Sequence, residues 1–184
     1  FFVSSYMQIM PIFSVLLGAG ETGYGYLISI TGVGSVAGTF LVGPFQNSRR
    51  LGRIILTAAT LSGLSIYLFA LATSYALTSG YAYPLAMAAG FTIALFTSIF
   101  MITSMTVLQL QVPDKLRGRV MGLHSITYSL MPLGGLLVGF LSSIVSAPAA
   151  IALSASVYLV FACIISVREG QIRRIDGSSL SATA

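Results

Sequence analysis

The chain has 184 residues, 56% of them hydrophobic and 7% charged. A soluble globular domain carries about 25% charged residues, so this composition excludes a water-soluble surface. The net charge of +5 is split into three separated clusters of Lys and Arg, which excludes the single basic face that nucleic-acid binding requires.

Asp, Glu, Lys and Arg are absent from residues 1–20, 22–48, 54–113 and 120–167. A helical bilayer crossing takes about 20 apolar residues, because hydrocarbon offers no partner to an unpaired backbone amide. The opening run is interrupted by Pro11 and reads as the tail of a helix, over 1–13, whose start precedes Phe1. Phe1 is not an initiator Met and no signal peptide precedes this span, so the chain is expected to be a fragment. The second run holds one crossing. The two longest runs each hold two, with uncharged Ser/Thr/Gly-type turns at 73–80 and 143–146. Spans are expected near 1–13, 25–45, 51–72, 82–108, 119–142 and 147–167, giving an all-α polytopic membrane protein of six helices.

The nine basic residues fall as Arg49/Arg50/Arg53, Lys115/Arg117/Arg119 and Arg168/Arg173/Arg174, after every second crossing. All three clusters therefore lie on one side, which the positive-inside rule makes the cytoplasm. The opposite side receives a single charge, Glu21. Cys163, the one cysteine, lies mid-span, where a thiol behaves as a small hydrophobe without disulfide or metal partners. Residues 171–184 are polar and without apolar period, and are expected to form a disordered cytoplasmic tail.

Sliding the sequence on itself by 96 residues aligns 27–43, LISITGVGSVAGTFLVG, with 123–139, LHSITYSLMPLGGLLVG, and eight of seventeen positions match. The second and fifth spans run in opposite directions. Two inverted three-helix units result, about 1–80 and 81–170, within one domain 1–170.

The segment 112–122, VPDKLRGRVMG, places four of the thirteen charges in six positions. Pro113 suits a helix first turn, and Asp114 complements the positive helix end. Arg117 and Arg119 follow at headgroup level, where a guanidinium can bond phosphate or a neighbouring helix end. Downstream, Gly118, Gly122, Ser125, Ser129, Pro132, Gly135 and Gly139 form a small-residue stripe, matched by Gly34 and Gly38 in the second span. Such stripes let helix backbones approach closely, as static packing or as a sliding surface.

Residues 113–122, continuing to Pro132-Leu133-Gly134-Gly135 and Gly139, resemble the loop and fifth-helix pattern of bacterial drug and siderophore exporters of the major facilitator superfamily. The likeness is strongest to the branch holding the enterobactin exporter and macrolide efflux pumps. Met10-Pro11-Ile12-Phe13, Gly23-Tyr24-Gly25-Tyr26-Leu27 and Gly32-Val33-Gly34 resemble the first loop and second helix of that branch's C-terminal half. The resemblance implies that the chain is the last six of twelve helices, partnered by a missing N-terminal half of the same polypeptide. It also implies proton-coupled export of a small amphipathic molecule across the bacterial inner membrane, with the C-terminus cytoplasmic.

On this reading Asp114, Arg117, Gly118 and Arg119, with Arg50, Gly52 and Arg53, form a cytoplasmic gate or latch. The alternative is a topology anchor with no further role. The stretch 46–53 matches the end of the family's loop motif but lacks its acidic residue, and Gly43 stands two positions too far upstream. Thr92, Phe96, Ile99, Thr103 and Thr106 share a face of the fourth span, and in the family that span lines the substrate cavity; threonine hydroxyls can equally bond their own helix. His124 shares a face with Tyr128 and Met131 near the cytoplasmic end, as an interfacial hydrogen-bonding group or, if it faces the cavity, a proton site. No Asp or Glu lies inside any expected span, so the titrating carboxylate is expected in the missing half.

No metal or cofactor is expected. An intramembrane hydrolase would need His124 with Ser125 or Ser129 and has no Gly-x-Ser-Gly element, so the chain is not read as an enzyme. A stand-alone six-helix protein, acting as a dimeric scaffold or half-size transporter, is the alternative reading.

Overall fold

The computed structural model describes residues 5–45, 51–75 and 81–168. The start of the first expected span, the loop residues 46–50 including Arg50, the turn residues 76–80 and the tail 171–184 lie outside the described residues. Seven helices occur among the described residues: α1 Ser5–Leu16, α2 Gly20–Val42, α3 Leu51–Tyr75, α4 Ala82–Gln111, α5 Asp114–Ser129, α6 Met131–Ile144 and α7 Ala147–Arg168. A single 3-10 turn, Gly43–Phe45, extends α2. Five stretches are long and apolar enough to cross a membrane: Gly20–Val42, Leu51–Ser74, Ala82–Gln111, Lys115–Ile144 and Ala147–Arg168. The described part of the first expected span is shorter, an apolar helix over Tyr6–Leu16.

Where the helices depart from the expected spans, local backbone chemistry explains it. Gly18 and Gly20 adopt positive φ of 67° and 60°, a conformation that favours glycine; they end α1 and let α2 begin five residues before the expected position 25. Glu21 consequently sits in the first turn of α2, complementing its positive end. Thr73 was expected to open a turn, yet it is buried and its hydroxyl donates to the Phe69 carbonyl at 2.9 Å, so α3 continues to Tyr75. Val112 is extended (φ −89°, ψ 121°) because Pro113 follows it, and α4 therefore stops at Gln111.

The fifth expected span, 119–142, falls within one membrane-length stretch, Lys115–Ile144, which is interrupted at Leu130 into α5 and α6. Pro113 caps α5, its carbonyl accepting from the Leu116 and Arg117 amides at 2.9 and 3.1 Å, so the helix starts at Asp114 rather than 119. At the far end Pro132 has no N–H for the Tyr128 carbonyl, and the chain breaks at Leu130 before resuming as α6. Two weak backbone bonds span the junction, Leu130 to Ile126 at 3.2 Å and Gly134 to Leu130 at 3.4 Å.

Around the bundle α2 packs on α4, α4 on α3, α3 on α7, α7 on α6, α6 on α1 and α1 back on α2. Residues of α1, α3, α4 and α7 meet in a core that includes Met10, Phe13, Phe69, Ile93 and Ile151. Phe13 and Phe69 are fully buried and stack edge to face, ring centroids 5.0 Å apart. Lipid tails are as apolar as these side chains, so dispersion and close fit hold the helices together rather than water exclusion. The buried hydroxyls of Ser62, Ser65, Thr73 and Ser154 each donate to a carbonyl of their own helix, which satisfies them without a partner from outside.

Contacts between α2 and α4 rise together along both helices: Gly23 with Tyr83, Gly34 with Phe91, Gly38 with Leu95. The two helices are therefore parallel. Their C-terminal ends share one end of the bundle, and so do the basic residues that follow them, Arg53 in α3 and Lys115, Arg117 and Arg119 in α5. Between α3 and α7, Ser62 meets Tyr158 and Gly63 meets Leu159.

Candidate functional site

Where α1, α2 and α4 converge they form a partly open cavity of about 310 Å³. Tyr6 and Met7 of α1 form one wall, Thr31, Gly32 and Ser35 of α2 the second, and Thr97 and Ser98 of α4 the third. Gly34 and Gly38 set its geometry. A Cβ at Gly34 would strike the Phe91 carbonyl, and one at Gly38 would stand 2.5 Å from the Leu95 carbonyl oxygen and 3.0 Å from Ser98 Cβ. Without side chains there, α2 lies directly on the α4 backbone, and Ser35 and Ser98 come close enough to share a hydrogen bond of 2.7 Å.

The walls are mostly apolar, with a few hydroxyls and no charged side chain. Thr31 donates to the Ile28 carbonyl at 2.7 Å. Thr97 Oγ1 is buried with no hydrogen-bond partner. Tyr6 is 5% exposed. Largely apolar space of this size with a few hydroxyls suits a small organic molecule, since ligand cavities run from about 300 Å³ upward and combine apolar walls with a few placed polar groups.

None of Thr92, Phe96, Thr103, His124 and Tyr128 lines this cavity. Thr92 is half-buried and donates to the Ala89 carbonyl at 2.9 Å, and Phe96 is half-buried. Thr103 is 3% exposed, its hydroxyl unpartnered inside the protein. The α4 residues that line this cavity, Ala94, Thr97 and Ser98, lie on the face of the helix nearly opposite to the one that carries Thr92, Phe96 and Thr103. Composition alone could have found it: Thr31 and Ser35 stand four apart on the α2 face that also carries Gly34 and Gly38, and the neighbouring helix offers Thr97-Ser98. His124 and Tyr128 pair on α5, rings edge to face at 5.3 Å, and the Tyr128 hydroxyl reaches Met101 Sδ of α4 at 3.6 Å.

At the basic end, Lys115, Arg117, Gly118 and Arg119 are exposed on α5, and among the described residues nothing outside the helix's own backbone lies within 4 Å of where a Cβ on Gly118 would stand. Asp114 opens α5. Across the loop, Gly52 is buried and Arg53 exposed in the first turn of α3. Along the small-residue stripe, Gly135 lets the Gln8 side chain of α1 lie across α6, with Cγ 2.5 Å from where a Cβ would stand. Gly139, expected to pack, meets nothing within 4 Å among the described residues, because its side of α6 turns away from α1 and α7; Gly122 is equally open. Among the described residues no three His, Cys, Asp or Glu side chains gather to hold a metal ion.

Among the described residues the chain is all-helical with five membrane-length apolar stretches, the build of a multi-pass membrane protein. A family model described as Major Facilitator Superfamily matches residues 1–180, and the chain belongs to that superfamily of membrane transporters. No curated protein and no solved structure matches it.

Proposed function

We propose that the chain is the C-terminal six-helix half of a bacterial exporter that carries an amphipathic small molecule outward by alternating access, through the cavity between α1, α2 and α4. The observation that carries this reading is the cavity itself: it lies between the short apolar helix α1 and the membrane-length helices α2 and α4, and is lined mainly by apolar groups with a few hydroxyls and no charged side chain. An anionic nutrient would call for Arg or Lys in such a place. Proton coupling then relies on a carboxylate outside this chain, in an N-terminal half of the same polypeptide.

Two features support an inverted-repeat architecture beneath this function. The 96-residue offset that aligns the second and fifth spans also relates Ser62 to Tyr158 and Gly63 to Leu159, the residues that touch across α3 and α7. Contacts between equivalent positions are what a two-fold axis between those helices produces. Asp114, Arg117 and Arg119, with Arg50 and Arg53, act in this reading as a latch at the cytoplasmic end, making and breaking contacts as the halves rock.

Plugging the cavity tests the reading. Gly32 lines it and has open space where a Cβ would stand, so Gly32→Phe starts a bulky side chain there. Efflux from cells or proteoliposomes should be lost while membrane insertion and protein amount stay unchanged. Undiminished efflux would place the path elsewhere.

A further inference from the structure

We infer that the cavity between α1, α2 and α4 takes an uncharged ligand bearing hydrogen-bond acceptors, such as a ketone, lactone or ether oxygen, with the Tyr6 hydroxyl as its main donor. This rests on reading the cavity as the transport site and adds the chemistry of what it admits.

Five hydroxyls line the cavity, and two of their O–H groups are already committed. Thr31 donates to its own helix, and Ser35 and Ser98 share one hydrogen bond in which one of the two donates, leaving the other's O–H beside it. Tyr6 is different: its ring is packed in the core and the residue lines the cavity, yet its hydroxyl has no hydrogen-bond partner among the described residues. Thr97 adds a further uncommitted hydroxyl on the facing wall, enclosed in its present rotamer, and a change of χ1 well is the motion that would present it. A buried O–H with no acceptor is costly in a low-dielectric interior, and a ligand oxygen relieves that cost.

Charged ligands receive no such compensation. A cation finds no carboxylate among the lining residues and an anion finds no Arg or Lys, so either would surrender its hydration for hydroxyl contacts alone. Apolar surface, to which Met7, Ile28 and Ala94 contribute, makes up most of the lining. The site thus selects a molecule with an apolar body and a few oxygen acceptors.

The test uses the full-length protein in lipid nanodiscs and four probes: tritiated progesterone, an uncharged diketone without donors; tritiated pregnane, its parent hydrocarbon; ethidium, a cation; and anilinonaphthalenesulfonate, an anion. Tyr6→Phe should weaken progesterone binding about two- to tenfold, the worth of one net hydrogen bond, and leave pregnane unchanged. Tyr158→Phe, a tyrosine outside the cavity, should change neither. An equal effect on both steroids, no effect on progesterone, no progesterone binding by the unmutated protein, or tighter binding of either ion overturns the inference. Gly32→Phe separates the two levels. If it abolishes probe binding while Tyr6→Phe fails to discriminate, only the ligand class falls; if it leaves both binding and efflux intact, the transport-site reading falls and the ligand class with it.

Discussion

Ser62 of α3 and Tyr158 of α7 stand 96 residues apart in the chain and bring their hydroxyl oxygens to 3.5 Å. Their neighbours repeat the relation, since a Cβ on Gly63 would meet Leu159 Cδ2 at 2.7 Å and Tyr158 Cδ1 at 2.9 Å. The same offset registers the sequence repeat, so two independent observations share one number.

This junction should be intolerant of bulk. Gly63→Leu is expected to cost about 1–3 kcal/mol by overpacking, read as a lower thermal midpoint in detergent. Adding Leu159→Ala should recover part of the loss, because the obstructing atoms are side-chain atoms. Additive effects in the double mutant would argue that the two positions are not in contact.

Glycines in α2 and α6 should separate by what they face. Gly34→Ala drives a methyl into the Phe91 carbonyl, a backbone atom that cannot rotate away, and is expected to destabilise by about 1–3 kcal/mol. Gly139→Ala meets open space and should be neutral or stabilising by up to about 1 kcal/mol through helix propensity. Thermal midpoints of the two purified variants give the comparison.

The latch and anchor readings of α5 predict different failures. Replacing Arg117 and Arg119 together by Gln should reduce efflux while protein amount and orientation are unchanged, if the pair makes and breaks contacts during transport. Lost or inverted insertion with normal efflux per correctly inserted molecule would support the anchor alone.

Orientation can be read by chemical labelling. In a Cys163→Ser background, single cysteines at Thr78 and Ser146 should react with an impermeant maleimide added outside intact cells, and those at Ser48 and Ser178 should not. Reaction at Ser48 from outside would overturn the assignment of the basic end to the cytoplasm.

The membrane class was legible because charge must leave hydrocarbon: the runs free of Asp, Glu, Lys and Arg mark the five long apolar stretches. Helix ends were less legible. Gly18, Gly20 and Pro113 fix them through backbone geometry, and a hydropathy pattern does not register a left-handed φ. The break at Leu130 was also in the sequence, as Pro132, but a proline inside a membrane helix can kink it or end it, and only the surrounding structure decides which. Thr92 and Phe96 were chosen for their spacing, whereas Thr97 and Ser98 reach the cavity because Gly34 and Gly38 rotate α2 onto that face of α4. Which of several polar faces meets a neighbour depends on a contact between helices, and no single helix carries that information.

The direct seating of α2 on the α4 backbone has a mechanical consequence. Where glycine meets carbonyl there is no layer of side chains to re-pack, so those two walls of the cavity are stiff and move as one piece. The α1 wall is fastened differently, through the side chains of Tyr6, Met10 and Phe13, and α1 ends at the left-handed Gly18. Any change in the volume offered to a ligand therefore falls to α1, the single compliant wall of an otherwise rigid vessel.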